Sequence, residues 1–310
     1  TDFSLIAVTQ VEGELQLTRV AVGDHILLGG DNMDLSLGVA LLRRLEQKGH
    51  KLDPWQRRAL VHSARQAKEA LLSGSGESAP VVVLGRGSKV IGGSIKTELS
   101  RADAEHILLD GFFPLVAGAD RPRAARRSGL MEMGLPYAAD PAVTRHLAKF
   151  LADHRQPTAI LFNGGVMKAR PLQRRIEQVL GLWGGQSAVR PLRYAEGEGD
   201  SHLDLAVALG AAYYGLVRRG KGLRIRGGIP RSYYIGVEAT MPAVPGMIPP
   251  LRAVCVAPRG MEEGSAVDVP GGDLGLIVGE PVEFRFLSSS TRKGYRLAER
   301  PDLLDADQIA

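Results

Sequence analysis

The stretch Ala159–Leu172, AILFNGGVMKARPL, sets the tightest limit on what this chain can fold into. Four apolar residues of strand length, Ala159–Phe162, run into Asn163-Gly164-Gly165, and apolar residues resume with helical spacing over Leu172–Leu180. A strand that meets a Gly-Gly turn and re-enters as a helix presents bare backbone N–H groups at a helix N-terminus. Without a Cβ at Gly164 or Gly165, a flat ring or a sugar can approach the main chain closely. The residues admit two readings, a nucleotide-facing turn or an ordinary β–turn–α connection.

The flanking sequence alternates strand and helix signals. Asp2–Val11 and Leu15–Val22 are strand-like runs joined by Glu12-Gly13-Glu14, a hairpin signal. A loop with a second Gly-Gly pair follows, GDHILLGGDNMD at Gly23–Asp34, and Leu35, Val39, Leu42 and Leu45 predict a helix that Gly49 stops. Asp53 at the N-cap and Pro54 at the first helical position start another helix through Ser73. Val81–Leu84 and Ser88–Leu99 read as a hairpin, and Ser100 caps a helix over Ala102–Leu109. Ala117–Tyr137 is an irregular basic insertion, read as a loop with a partner contact as the alternative, and Asp140-Pro141 caps a helix leading to Asp153. Beyond the opening strand and its helix come a strand at Ala188–Leu192, an acidic loop at Glu196–Asp200 and a helix over Leu203–Arg219. Composition changes near Gly220–Pro230. From there the strand signals are short and separated by Gly and Pro: 233–238, 252–257, 274–279, 282–287 and 294–299, with no convincing helix until the last few residues.

Composition excludes several classes. An apolar fraction of 44% and a charged fraction of 24% are those of a globular protein with a proper core. No apolar run nears the roughly 18 residues that span a bilayer, and no secretory signal opens the chain. The single cysteine, Cys255, rules out an internal disulfide and fits a reducing, cytoplasmic setting. The seven histidines lack paired metal spacing, which argues against a structural zinc. Net charge is +5, but the one dense run, Arg121–Arg127, lacks interleaved aromatics and reads as a solvated loop. Neither a nucleic-acid nor a membrane partner is expected. The chain opens at Thr1 inside a strand-like run, so it is expected to be a fragment.

Four segments, in order, resemble the C-terminal half of the ATPase domain of DnaK-type 70-kDa heat-shock chaperones. TDFSLIAV resembles the strand after that family's second glycine-rich phosphate loop, and AVGDHILLGGDNMD its A-G-D-x-x-L-G-G-E-D-F-D. ILFNGGVMKARPLQRRI is similar to the adenosine turn V-G-G-S-T-R-x-P-x-[VI]-Q, and DLAVALGAAYYG to D-E-A-V-A-x-G-A-A-x-x-G on the closing helix. The resemblance implies an α/β fold: residues 1–219 as the second lobe of an actin-like, ribonuclease-H-like ATPase, with an insertion at about 117–137. Residues 220–230 take the place of the linker, without its leucines and Asp. Residues 231–310 resemble, more weakly, the start of the all-β, sandwich-like substrate-binding domain.

The same resemblance implies the site. Asp2 matches a carboxylate that helps hold Mg²⁺ and K⁺ around the phosphates of ATP or ADP, a catalytic and metal role; alternatively it is a frayed terminal Asp. Gly29, Gly30 and Asp31 match Gly-Gly-Glu near ribose and phosphates, or form a tight turn with an N-cap. Lys68 matches a lysine of the adenine clamp, with Arg65 and Glu69 at two of its other polar positions. Residues 65, 68, 69 and 72 share a helical face, so a solvated charged face is the competing reading. Gly164, Gly165, Val166 and Lys168 match the adenosine turn, where Lys replaces the stacking Arg and Val replaces Ser. Adenosine affinity below that of the type members is therefore expected. Asp204 matches the closing helix's Asp, and Ala206, Gly210 and Ala211 give that helix a thin face for close packing. The implied partners are unfolded peptide or client protein and cochaperones. The missing lobe carries the catalytic lysine, so hydrolysis by the fragment alone is not expected. A non-hydrolysing actin-like scaffold and a small-molecule kinase are the competing functions, the kinase having no need of a β module.

Overall fold

The structure, a computed structural model, describes residues 1–85, 93–124, 137–184, 189–192, 202–238 and 251–262, with short pieces at 242, 245, 264–266, 268, 275, 278–279, 281, 284–289 and 307–308. The residues 88–92, most of the 117–137 insertion, the acidic loop 196–200 and the strand expected at 294–299 lie outside them. The chain is mixed α/β and divides into two compact units, Thr1–Phe3 with Gly23–Leu216, and Ser4–Val22 with Val217–Ala310.

The first unit is built on an antiparallel pair of helices, α1 (Gly30–Gln47) and α2 (Pro54–Leu72). Asp53 caps α2 as its sequence predicts: the side chain accepts from Gln56 N–H at 2.9 Å, and Gln56 Oε1 accepts from Asp53 N–H at 3.1 Å. Helix α1 departs from expectation in phase. The stripe Leu35/Val39 is 56% and 38% exposed, and the buried positions are Met33, Asp34, Leu37, Gly38, Leu41 and Leu45. Gly38 decides the seam, because a Cβ there would lie 2.7 Å from Val61 Cγ2 and 3.3 Å from Val61 Cα. Only a bare backbone lets the two axes come this close.

Against α2 lies the hairpin of β3 (Ser78–Val83) and β4 (Ile95–Ser100), which buries Ala79, Val81, Val83 and Leu99. Ser100 accepts from Asp103 N–H at 3.1 Å and opens α3 (Arg101–Phe112). The expected strand–turn–helix follows as β5 (Ala159–Leu161), a 3-10 turn over Gly165–Lys168, and α5 (Arg170–Gly184). Strand β6 (Arg190–Leu192) pairs parallel to β5. The buried faces of α1, α2, α3 and α5 close one apolar core with the hairpin.

Helix α4 (Val143–Leu151) starts two residues later than its sequence predicts, with Ala142, not Asp140, at the N-cap. Asp140 is instead fully buried as a hub. Its oxygens accept from the N–H groups of Arg123 (2.8 Å) and Ala142 (2.9 Å) and from the Arg145 guanidinium at 3.0 and 3.1 Å. Helix α6 (His202–Val217) presents its small residues to the surface. Gly210 and Ala211 are exposed, and nothing among the described residues comes within 4 Å of a Cβ at Gly210.

In the second unit, β1 (Ser4–Val11) and β2 (Glu14–Val22) form the expected hairpin, but it groups with the C-terminal residues rather than with the α/β segment. Strand β7 (Ile225–Arg226), in the segment expected to be a linker, pairs parallel to β2, with Leu17 opposite Ile225. Gly227 has φ +142°, and a Cβ there would meet Arg19 at 2.7 Å, so glycine permits both the bend and the approach. Strands β8 (Ser232–Glu238), β9 (Leu251–Ala257), β10 (Phe286–Ser289) and β11 (Asp307–Gln308) form a sheet of order β11-β10-β8-β9. At the extreme end, where the sequence leaves room for a helix, residues 307–308 pair with β10 as a strand. Cys255, Tyr234 and Ala253 are buried on this sheet.

Burial pushes the Asp140 carboxyl up, and the donors around it outweigh that and hold it below the usual range. Because its folded value is the lower one, the unfolded chain takes the proton first as pH falls. The stabilisation is present above about pH 4 and is lost as the pH drops through the folded value. Circular dichroism of urea unfolding between acid and neutral pH should show this loss, and Asp140→Asn should flatten it while lowering stability at neutral pH. At the helix seam, Gly38→Val should destabilise by about 1–3 kcal/mol. Adding Val61→Ala should recover part of that in the same assay.

Candidate functional site

Two glycine turns of the first unit face each other. The first is the N-terminus of α1, where Gly29 N–H donates to Asn32 Oδ1 at 2.9 Å and Gly30 begins the helix. The second follows β5, where Gly164 has φ +88°, a conformation that favours glycine. A Cβ on Gly30 would lie 3.4 Å from Val166 Cγ2, so Val166 is the point of contact between the turns. A Cβ on Gly165 would lie 3.0 Å from Asp204 Oδ1, which places the α6 carboxylate directly over the second turn. Lys168 Nζ donates to Asp204 Oδ2 and completes the group. Among the described residues, nothing lies within 4 Å of a Cβ on Gly29 or Gly164, so these leave the backbone open to approach at both turns.

Gly30, Gly165, Val166, Lys168 and Asp204 are therefore brought together as the sequence expects. The ammonium of Lys168, however, is engaged by Asp204, and what remains for a flat ligand is its aliphatic stem. Asp204 is half exposed, and its function as the α6 N-terminal carboxylate is compatible with facing this wall.

The residues of the expected clamp on α2 are arranged around a carboxylate that sequence reasoning missed. Lys68 is buried, and its Nζ donates to Asp34 Oδ1 at 2.5 Å, with the Asp34 side chain 6% exposed. Lys68 thus points into the α1–α2 seam. Arg65 and Glu69 stay on the outside and pair at 3.0 Å, and Arg65 Nε is 4.0 Å from Asp34 Oδ2. The Arg65 guanidinium is held above its ordinary range, first by the hydrogen bond to Glu69, then by the charges of Glu69, Asp34 and Asp31. So Asp31, exposed in the first turn of α1, contributes to the same field. Asp34 could have been found: it closes the GGDNMD segment, and positions 34, 37, 38 and 41 share one helical face. A carboxylate on a buried face demands a cation across the seam.

Asp2 stands apart from these groups. It accepts from, or shares a proton with, His25 Nδ1 at 2.7 Å, both side chains being largely exposed. The preceding residue ties this terminus to the first turn, since the Thr1 ammonium donates to Ile26 O (2.8 Å) and Leu28 O (3.0 Å). Among the described residues no three His, Cys, Asp or Glu side chains gather to hold a metal ion. The open backbone and the carboxylate at the turns fit a nucleoside's ring and sugar hydroxyls. Among the described residues, no helix is long and apolar enough to cross a membrane.

No protein-family model matches the chain, and no curated protein matches it.

Removing one member of the Lys68–Asp34 pair leaves a buried charge uncompensated. Asp34→Ala should destabilise the chain by about 3–5 kcal/mol, and Asp34→Leu with Lys68→Met should recover most of that loss. Urea midpoints of the parent and both variants check the series. An Asp34→Ala chain as stable as its parent would remove the pair from its structural role.

Proposed function

We propose that the chain carries the adenosine-facing second lobe of a DnaK-type chaperone ATPase, followed by the start of the β module that holds unfolded peptide. The meeting of the two glycine turns carries the reading: segments more than 130 positions apart in sequence, each matching a nucleotide-contact motif of that family, touch through Gly30 and Val166. Asp204, the match on the fourth segment, sits over Gly165 of the same wall. Helix α6 adds support, because a helix apolar on nearly every side and still exposed suits a face that a further body covers.

In this reading the base and sugar of ATP or ADP lie against the main chain of Gly29–Gly30 and Gly164–Gly165. Asp204 Oδ1 accepts from a sugar hydroxyl, and the Lys168 stem covers part of the ring. Bound nucleotide supplies the free-energy difference that switches the peptide affinity of the β module. The phosphates, with Mg²⁺, belong to the lobe that bears the family's first phosphate loop and catalytic lysine, so this chain binds without hydrolysing. Client peptides and cochaperones are the partners, in the cytoplasm.

A second reading is favoured by one observation. Both lysines of the expected grip, Lys68 and Lys168, are neutralised by carboxylates of the protein itself, which suits a non-hydrolysing scaffold of the same fold. Isothermal titration separates the two. Weak, saturable ATP binding by this chain, reduced at least tenfold by Gly165→Leu, is the expected result. A chain that gives no saturable signal with millimolar ATP is the scaffold. In the protein with both lobes, peptide affinity should fall when ATP is added, whereas ATP-dependent phosphorylation of a sugar would make it a kinase.

A further inference from the structure

A second concavity of the first unit shares no residue with the glycine turns. It encloses about 690 Å³ where the loop after α3 meets the C-terminal ends of α4 and α5. Val116, Leu151 and Ala148 supply apolar wall, and Trp183 supplies an indole. The indole is fixed: its Nε1 donates to Val116 O at 2.7 Å, and Gly118 packs so close that a Cβ would lie 3.4 Å from the ring. His154 and Gln156, on the segment after α4, supply the polar rim.

These two side chains are the informative ones. The His154 ring is held by Phe150 at a centroid distance of 5.6 Å, and Phe150 in turn stacks on Phe3 at 5.6 Å. Neither the ring nitrogens of His154 nor the amide of Gln156 has a hydrogen-bond partner among the described residues. A pre-formed cleft of several hundred Å³ with mixed polar and apolar lining, a fixed aromatic wall and two convergent polar groups has the make-up of a small-molecule site. No lysine or arginine lines it among the described residues, which disfavours a multiply charged phosphate more than a ligand with one accepting group. Both rim residues can donate, through the Gln156 amide N–H groups and one His154 ring N–H.

We propose that this cleft binds a small planar aromatic molecule with one hydrogen-bond-accepting end, of the aromatic monocarboxylate class. Its ring lies among Val116, Leu151 and Trp183, and its acceptor takes hydrogen bonds from Gln156 and His154. Since α4, α5 and the loop at Val116–Gly118 all contribute, occupancy ties three elements together.

The chain has two tryptophans, so Trp55→Phe leaves Trp183 as the sole indole reporter. In that background, titration with phenylacetate should give a saturable change in Trp183 fluorescence, and acetate at equal concentration should give none. Gln156→Leu, which removes one donor, should weaken phenylacetate binding about fivefold. Ala152→Phe, a larger side chain at an exposed lining position, should abolish it with far-UV circular dichroism unchanged. A flat titration with phenylacetate overturns the proposal, as does equal binding by the folded Ala152→Phe chain. Binding that is blocked by Ala152→Phe but indifferent to Gln156→Leu overturns the assignment of the accepting end.

Discussion

The ion pair between Lys68 and Asp34 is the contact on which the geometry of the first unit turns. Both charges are withdrawn from water, and each is tolerable only because the other is there. The pair sits in the same seam as Gly38 and Val61, so apolar close approach and a charge-specific lock act between the same two helices. The apolar part would tolerate several rotations of α1 about its axis. The pair selects one rotation, because Asp34 has to face Lys68. That choice fixes where the first turn of α1, with Gly29, Gly30 and Asp31, is presented.

The position of Gly30 then matters to the other wall. Val166 lies against Gly30 and belongs to the 3-10 turn that begins at Gly165. Gln173, one turn into α5, donates its amide to Met167 O at 2.5 Å and holds that turn from behind. A shift of α1 along the seam would push Gly30 away from, or into, the Val166 methyl groups. The structure thus links a buried salt bridge to the spacing of two backbone turns through one van der Waals contact. Charges placed for this purpose are no longer free to bind a ligand. The same substitution pattern that fits the resemblance poorly, with Arg65 where the family has Glu and Lys168 where it has Arg, fits an arrangement in which acidic groups of the protein hold the cations.

Element identity was legible in the sequence wherever a local signal decided it. Asp53-Pro54 starts α2 because an Asp cap and a proline at the first turn satisfy the same orphan N–H groups in any context. Ser100 does the same for α3. The strand, Gly-Gly turn and helix around Gly164 also follow from local chemistry, since a φ of +88° is a glycine conformation. Tertiary choices were not legible. The stripe Leu35/Val39/Leu42/Leu45 has the right period, yet the core took Met33, Leu37, Leu41 and Leu45, because only the Gly38 side lets α2 close. Asp140 has the sequence of an N-cap, and a nearby Arg145 and the Arg123 backbone drew it into a buried hub instead. Of the residues matched to the site, Gly30, Gly165, Val166, Lys168 and Asp204 lie together in the structure. The inward turn of Lys68 was not legible, because helical spacing places residues 65, 68 and 69 on one broad face and does not say which of them meets the neighbouring helix.

Residues 224–229 of the second unit show how little hydrophobicity a connection needs when backbone geometry does the holding. Ile225 and Arg226 join β2 by main-chain hydrogen bonding, and Gly227 and Gly228 then turn where a Cβ would strike Arg19 or Gly260. Ile229 exchanges backbone hydrogen bonds of 2.9 Å with Met261 and Gly260, and Glu262 accepts from Gly227 N–H at 3.1 Å and from Arg224 at 3.0 Å. These contacts are polar and mostly exposed, so each is individually weak and open to competition by water. A segment held in this way is ordered by the sum of its contacts and can be released by losing a few. The leucine-poor sequence GLRIRGGIP therefore does not argue against a connecting role. It indicates that here the connection is gripped by strand pairing and two glycine bends, with an ion pair between Arg224 and Glu262 beside them.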